Sequence, residues 1–355
     1  MNCLLESPRA RDRNMSKTFV ALAPIRICDL GGWSDTWFAK HGAVLNIAVS
    51  PYAECRMEVA EVPQWRERFY FTVDDYGDRY KLDPQNVTFG RHPLLDACVK
   101  SMPIPKGLDV EISLHSSIPG GSSTGTSAAV TVALLRALDC LTPGRLSPDE
   151  LAAKAHEVET VHLGQQSGIQ DQLCSAHGGI SFIDMDEYPH ATVTRLDVSE
   201  ELRNELESRL SVIFLGRTHH SSSVHEEVIR GLLEGGAKDK LEPLRREAVA
   251  GRDALLAGDL AAFGAAMVRN TDAQADLHAT LVSETARQIF DVAKHYGAIG
   301  WKVNGAGGDG GSVTILSGGD RFAQRAMLEE IKSMGGGIRE IGIRLNESGV
   351  HVISD

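Results

Sequence analysis

The stretch IPGGSSTGTSAAVTVALLRAL, residues 118–138, decides how this chain is read. Gly, Ser and Thr open directly into an Ala- and Leu-rich helix with no charged side chain before Arg136. Small residues let a backbone approach a ligand closely, and the first turn of a helix presents unpaired N–H groups and a positive dipole end. Together these make a phosphate cradle. Taken alone, the stretch reads equally well as an ordinary loop before a buried helix. Two further Gly-rich segments favour the cradle.

One of them is WKVNGAGGDGGSVTIL, residues 301–316. Gly305, Gly307 and Gly310 satisfy G-x-G-x-x-G, but the dinucleotide fingerprint must open a helix, and SVTIL reads as a strand. That pattern, strand then Gly loop then strand, argues against a dinucleotide-dependent oxidoreductase. The chain has no Gly-Lys pair, which excludes a Walker-type loop. The other segment, PIRICDLGGWSDT, brings Arg26, Gly31, Gly32 and Asp35 together. An Asp on a loop forced by paired glycines can bond vicinal sugar hydroxyls, and an Arg can face a transferring phosphoryl group. Each is also an ordinary loop residue or ion-pair partner. In SGIQDQ, Asp171 sits in a tight, polar, Gly-containing turn, suited to proton abstraction or to orienting a hydroxyl; the plain alternative is a helix N-cap. Glu159, on the preceding helix, could reach a Mg²⁺ or simply face solvent.

At 355 residues, with 42% hydrophobic and 24% charged residues, the chain has the composition of a soluble globular protein of one large or two medium domains. A net charge of −12 argues against nucleic-acid and anionic-membrane partners. No run approaches the ~18 apolar residues of a membrane span. Six scattered cysteines without a C-x-x-C pair read as reduced thiols, hence a cytoplasmic location. Residues 1–16 read as a disordered tail. Strands are expected over KTFVALAPIRICDL, AVLNIAVSPYAECRMEVAEV, RFYFTVDD, GLDVEISLHSSIP, ISFIDM and SVIFLG. Ser147, Pro148 and Glu150 form a capping box whose helix runs on to Gly164. After Asp184 the composition reads as a polar connection. Helices and strands then alternate to the C-terminus, and a soft domain boundary falls near residue 205.

Three of these motifs, in this order, resemble those of the galactokinase, homoserine, mevalonate and phosphomevalonate kinase (GHMP kinase) superfamily. IPGGSSTGTSAA is similar to its P-x-x-x-G-L-G-S-S-A loop, and KVNGAGGDGGSV to its C-terminal G-A-G-G-G-G motif. PIRICDLGGWSDTWFAKHGAVLNIAVS, SGIQDQLCSAHGGI and FLGRTHHSSSVHE resemble sugar 1-kinases, particularly heptose 7-phosphate 1-kinases and the L-fucokinase domain. The resemblance runs from Lys17 nearly to the C-terminus. It implies an α/β, two-domain (α+β) GHMP kinase fold: an N-terminal domain over 17–205 with a mixed sheet and helices, and a ferredoxin-like C-terminal domain over 206–355.

Carried over by position, the resemblance makes Asp171 the catalytic Asp and Arg26 the stabiliser of developing charge. Asp35, Gly31, Gly32, Gln170 and Gly168 fall at the sugar site. Gly120, Gly121, Ser122, Ser123, Thr124, Gly125, Thr126, Ser127, Gly307 and Gly308 fall at the ATP phosphates, and Ser127 with Glu159 at Mg²⁺. The implied reaction is MgATP-dependent phosphorylation of a small-molecule sugar, heptose phosphate, fucose or a relative, at the anomeric hydroxyl. The alternatives are a kinase of a non-sugar alcohol and a catalytically silent sensor of the same fold. Ser123 and Thr124 depart from the family's Gly-Leu, Asp309 interrupts the terminal glycines, and Trp37-Phe38 replaces a Pro-Pro beside the sugar site. His219, His220 and His225 fit no common zinc spacing and read as a polar loop near the sugar pocket.

Overall fold

The computed structural model describes residues 16–74, 77–217, 221–235 and 237–354. The anticipated tail, apart from Ser16, and the pair His219-His220 lie outside them, as does the side chain of His225.

The chain begins with a long antiparallel pair, β1 (Lys17–Leu30) and β2 (Gly42–Glu61). Their register shifts between Pro24 and Ile25 and again between Ile27 and Leu30. Pro24 has no N–H to give a ladder, and bulges re-aim side chains near functional sites. The second shift turns Cys28 and Asp29 out of the ladder, with Cys28 at φ +55°. β3 (Arg68–Val73) and β4 (Asp78–Lys81) form an antiparallel hairpin, and β3 pairs parallel with β5 (Leu108–Ser116). β2 joins β5 through one half and β6 (Ile180–Glu187) through the other. β7 (His190–Arg195) adds to β6. Helices α1 (Pro93–Ser101), α2 (Thr126–Asp139), α3 (Pro148–Glu157) and α4 (Gln170–His177) pack against one another, with α2 and α4 against β1 and β2.

The second half starts with α5 (Glu200–Arg209) and β8 (Leu210–Leu215), every residue of which is buried. Then follow α6 (Ser221–Gly235), α7 (Ala237–Leu256), α8 (Leu260–Leu277) and α9 (Glu284–His295). β9 (Gly300–Val303), β10 (Ser312–Leu316), α10 (Arg321–Ser333) and β11 (Ile338–Ile341) complete a four-stranded antiparallel sheet in the order β11-β8-β10-β9. Strand, helices, two strands, helix, strand is the ferredoxin-like arrangement. α9 shows why such a helix docks: buried Ala286, Ile289, Phe290 and Ala293 recur at helical spacing. The last two strands, β12 (Arg344–Leu345) and β13 (His351–Ser354), return to β2 and β1 and bring the first sheet to nine strands. We keep a boundary near residue 205 as our proposal, with these two strands placed on the sheet of the 17–205 part. No helix of the described residues is long and apolar enough to cross a membrane.

Three local expectations need correction. The polar connection after Asp184 is the β6–β7 hairpin followed by α5. β7 is mostly exposed and α5 buries only Leu202 and Leu206, so neither carries a strong apolar pattern. The helix expected to reach Gly164 leaves α geometry after Glu157 and continues as one π turn, Val158–His162. A whole helix, α8, went unread because Asn270, Thr271 and Gln274 interrupt its buried face.

Candidate active site

Arg26, near the end of β1, is 5% exposed and points at the start of α4. Its Nε donates to Asp171 Oδ1 at 2.8 Å and Nη2 to Oδ2 at 3.3 Å, a two-point pairing that fixes both side chains. Nη1 donates to the Ser123 carbonyl and lies 3.9 Å from Asp29 Oδ1. Burial alone would lower the guanidinium's proton affinity, but the charges of Asp171 and Asp29 outweigh it and raise the pKa. Asp171 is the second residue of α4, so it sits in a helical first turn and not in the Gly-containing turn before it.

The loop of residues 118–125 meets this pair. Gly125, at φ +71°, is the residue before α2, with no side chain capping the helix. A Cβ there would lie 3.2 Å from Asp171 Cγ and 3.4 Å from Arg26 Cγ. The uncapped N–H groups of α2 thus open beside the ion pair, and Gly120, Gly121 and Ser127 are exposed there. Ser122 and Thr124, expected to face phosphate, instead bury their side chains and bond each other at 2.7 Å. Thr126 bonds Thr124 at 3.2 Å. Ser123 adopts φ +59°, a left-handed conformation that glycine takes freely and other residues rarely. Its Cβ and Oγ fit only because Gly311 opposite has no side chain: a Cβ there would lie 2.5 Å from Ser123 Oγ.

The second glycine loop is tied down more than exposed. Gly305 N–H donates to both oxygens of Asp29, at 2.9 and 3.1 Å. Gly308 N–H donates to the Leu281 carbonyl at 3.0 Å, and a Cβ on Gly307 would lie 2.1 Å from that same oxygen. These two glycines brace the loop, and the Gly308 amide is spent on protein. Asp309 points outward and pairs with Arg217 at 3.0 Å, both side chains more than two-thirds exposed.

Asp35 is 2% exposed, and its Oδ2 accepts the N–H groups of Ile169 and Gln170, each at 3.1 Å, at the start of α4. Burial pushes its pKa up to about 6 against the Gln170 N–H, with the Asp171 charge adding to the rise. Gly168 cannot carry a side chain, since a Cβ would lie 2.2 Å from Asp35 Oδ2. Gln170 is 7% exposed, and its Oε1 has no hydrogen-bond partner among the described residues. Asp35, Gly168, Gln170, Asp171 and Arg26 line one cavity, with Trp37 and Phe38 also in its wall. Gly31 and Gly32 do not line it. Their Cβ positions fall 1.9 Å from the Ala43 carbonyl and 2.7 Å from Asp29 Oδ2, so both serve loop packing.

Glu159 lies on the π turn, 7% exposed, with Oε2 accepting from Ser167 at 2.6 Å and Gln172 at 2.8 Å. Burial pushes its pKa up to about 7, against the Ser167 bond. Only Oε2 is engaged among the described residues. Glu159 Oε1 and the exposed Ser127 hydroxyl are hard oxygen donors of the kind Mg²⁺ takes, so the donor set fits that ion. Among the described residues no cluster of three or more His, Cys, Asp or Glu is arranged to hold a metal. All five cysteines among the described residues are free.

Sequence reading missed the buried groups behind the pair. Asp29 binds Gly305 and lies 3.9 Å from Lys302 Nζ, which donates to Gln274 Oε1 at 2.8 Å. Asn304 Oδ1 accepts from Cys28 N–H at 3.0 Å, and Ser312 Oγ donates to the Ser122 carbonyl at 2.7 Å. The only signal was a Lys inside an apolar strand and an Asp beside a strand's end.

A mixed sheet with an uncapped glycine-loop helix, faced by a ferredoxin-like sheet with its own glycine loop, is the architecture of the GHMP kinases. Residues 94–179 match the family described as GHMP kinases N terminal domain. The chain is 23% identical over 305 residues to the D-glycero-alpha-D-manno-heptose 7-phosphate kinase of Campylobacter jejuni, covering 83% of this chain and 88% of that one. It is 26% identical over 332 residues to the bifunctional fucokinase/GDP-fucose pyrophosphorylase of Arabidopsis thaliana, covering 86% of this chain but 31% of that larger protein. A crystal structure of mevalonate kinase superposes with a TM-score of 0.73 at 18% identity, over 93% of this chain and 99% of that one. The chain carries a GHMP kinase N-terminal domain and has the GHMP kinase fold.

Proposed function

We propose that this chain is an ATP-dependent sugar kinase that phosphorylates the anomeric hydroxyl of a monosaccharide. The observation that carries this reading is the Arg26–Asp171 pair, lying against Gly125 at the open start of α2 and lining the same cavity as Asp35. A sugar hydroxyl in that cavity would meet Asp171, which orients it and takes its proton as the oxygen attacks the γ-phosphorus, while the bond from that phosphorus to the β–γ bridging oxygen breaks and ADP leaves with the bonding pair. Arg26 faces the transferring group and neutralises charge gathering on its oxygens. Asp171 holds Arg26 through two hydrogen bonds, so the base and the electrostatic stabiliser keep a fixed relation. The N–H groups at the start of α2 receive the ATP phosphates. Ser127 and Glu159 would hold Mg²⁺, which would offset phosphate charge. The resemblance of the GGWSDT segment to sugar 1-kinases, with its Asp35 lining the cavity beside Asp171, supports a sugar over another alcohol. Net charge speaks against a nucleic-acid partner, and the free cysteines suit the cytoplasm.

The test is ³¹P NMR of the products from ATP, Mg²⁺ and a sugar panel. An acid-labile anomeric phosphate, lost on chelation and restored by Mg²⁺, supports the reading. A phosphate ester at another carbon would overturn the anomeric assignment, and no new phosphorus signal with any sugar would overturn the kinase.

A further inference from the structure

Resting on the kinase reading, we infer that Arg245 is a positioning residue for the acceptor, holding from α7 the loop that carries Trp37 and Phe38. Its side chain is 8% exposed, although it lies 204 residues beyond His41 in sequence. Nη2 donates to the His41 carbonyl at 2.8 Å and to the Ala39 carbonyl at 3.2 Å. Nε donates to the same His41 carbonyl at 3.2 Å. Its carboxylate partner, Glu242, stands on the same helix at 3.4 Å and is mostly exposed. A guanidinium is costly to bury, and here the carbonyls bonded by its planar fork offset that cost.

The two carbonyls flank Lys40, which adopts φ +67°. A left-handed residue with a side chain persists only where its surroundings over-determine it. The carbonyl of Lys40 itself accepts the Tyr188 N–H at 2.9 Å, so three successive carbonyls are bonded, two of them by Arg245. Trp37 and Phe38 come just before this turn and line the cavity with Asp35 and Asp171. Phe38 also belongs to a buried cluster with Ile229 of α6 and Leu241 and Leu244 of α7. Asp35 is fixed separately, by the N–H groups at the start of α4. Loss of the fork therefore loosens Trp37 and Phe38 while Asp35, Asp171 and Arg26 keep their places. Such a change weakens acceptor binding in ground and transition states alike, which raises KM and spares kcat.

The experiment measures ADP release by the full chain with the best acceptor of the sugar panel, fucose and heptose 7-phosphate included. Arg245→Met should raise the acceptor KM about tenfold, with kcat and the ATP KM within about twofold of the wild type. Arg245→Lys keeps a donor for the carbonyls and should recover part of that loss, leaving KM about threefold high. Limited trypsin cleavage after the exposed Lys40, followed by mass spectrometry, reads the loop without any acceptor. It should run about tenfold faster in Arg245→Met than in the wild type. Leu255→Ala, a core truncation elsewhere on α7, should lower the melting temperature and move neither reading. An unchanged acceptor KM in both Arg245 variants, or an unchanged cleavage rate, overturns this inference and leaves the kinase intact. Equal changes in Leu255→Ala also overturn it, because the effect would then follow stability alone. Silence of the wild type with every sugar overturns the kinase reading, and this inference with it.

Discussion

Asp35 is buried, accepts two backbone N–H groups and still has its pKa pushed up to about 6, because burial and the Asp171 charge outweigh those bonds. A carboxyl whose folded pKa lies above its unfolded value of about 3.9 favours the fold while protonated. That contribution is full below about pH 4 and is lost as pH rises through about 6, a difference on the order of 3 kcal/mol. Asp35→Asn keeps an oxygen for both N–H groups and removes the charge. It should melt higher than the wild type at pH 8, with the gap closing at pH 4, and turn over sugar poorly. A melting gap independent of pH would contradict the assigned cause. Of the candidate residues, the sequence motifs placed Arg26, Asp171, Asp35 and Gln170 together, and they line one cavity. Gly31 and Gly32 lie outside its lining and Ser122 and Thr124 turn their side chains inward, because composition marks a loop as tight without saying which side faces a ligand. Asp29 and Lys302 were illegible because their partners lie far off in sequence.

At the scale of elements, helix ends were the clearest. Ser147 accepts from Glu150 N–H and the Glu150 side chain answers to Ser147 N–H, the capping box read from the sequence. The glycine loops show a pairing no local pattern reveals. Ser123 holds φ +59°, and Gly311, at φ +82°, leaves room for its side chain. Gly311→Ala should destabilise by about 2 kcal/mol or more, from strain and from the clash. Ser123→Gly should be close to neutral alone and should recover part of that loss in the double variant, leaving the strain at residue 311. Denaturant melts of the four proteins in the cycle measure the coupling. Strictly additive effects would mean that the two residues do not meet. What hid α8, α5 and β7 was likewise physical: polar residues turned inward in one, and thin apolar faces in the others.

Over the whole molecule, the two sheets are joined by polar groups that water does not reach. Asp29 on β1, Lys302 on β9, Gln274 on α8 and Gly305 bond one another, and Ser312 on β10 reaches the Ser122 carbonyl. Removing one member leaves a buried charge unpaired. Asp29→Ala should cost about 3–5 kcal/mol of stability, and pairing it with Lys302→Met should cost less than the sum. Full additivity in urea unfolding would show that the two charges act independently. The ferredoxin-like second domain was legible through the resemblance of the motifs, while the alternation of its elements gave only helices and strands in turn. The return of β12 and β13 to the first sheet was not, because strand pairing across the length of a chain leaves no local mark. All of these elements serve to hold Arg26 and Asp171 beside the open end of α2. The most direct test is single-turnover ADP formation by the wild type and Asp171→Asn, with ATP affinity measured on both. The expected result is sugar-dependent turnover that falls about a thousandfold or more in the variant while ATP binds equally well. Near-wild-type turnover by Asp171→Asn would contradict the account.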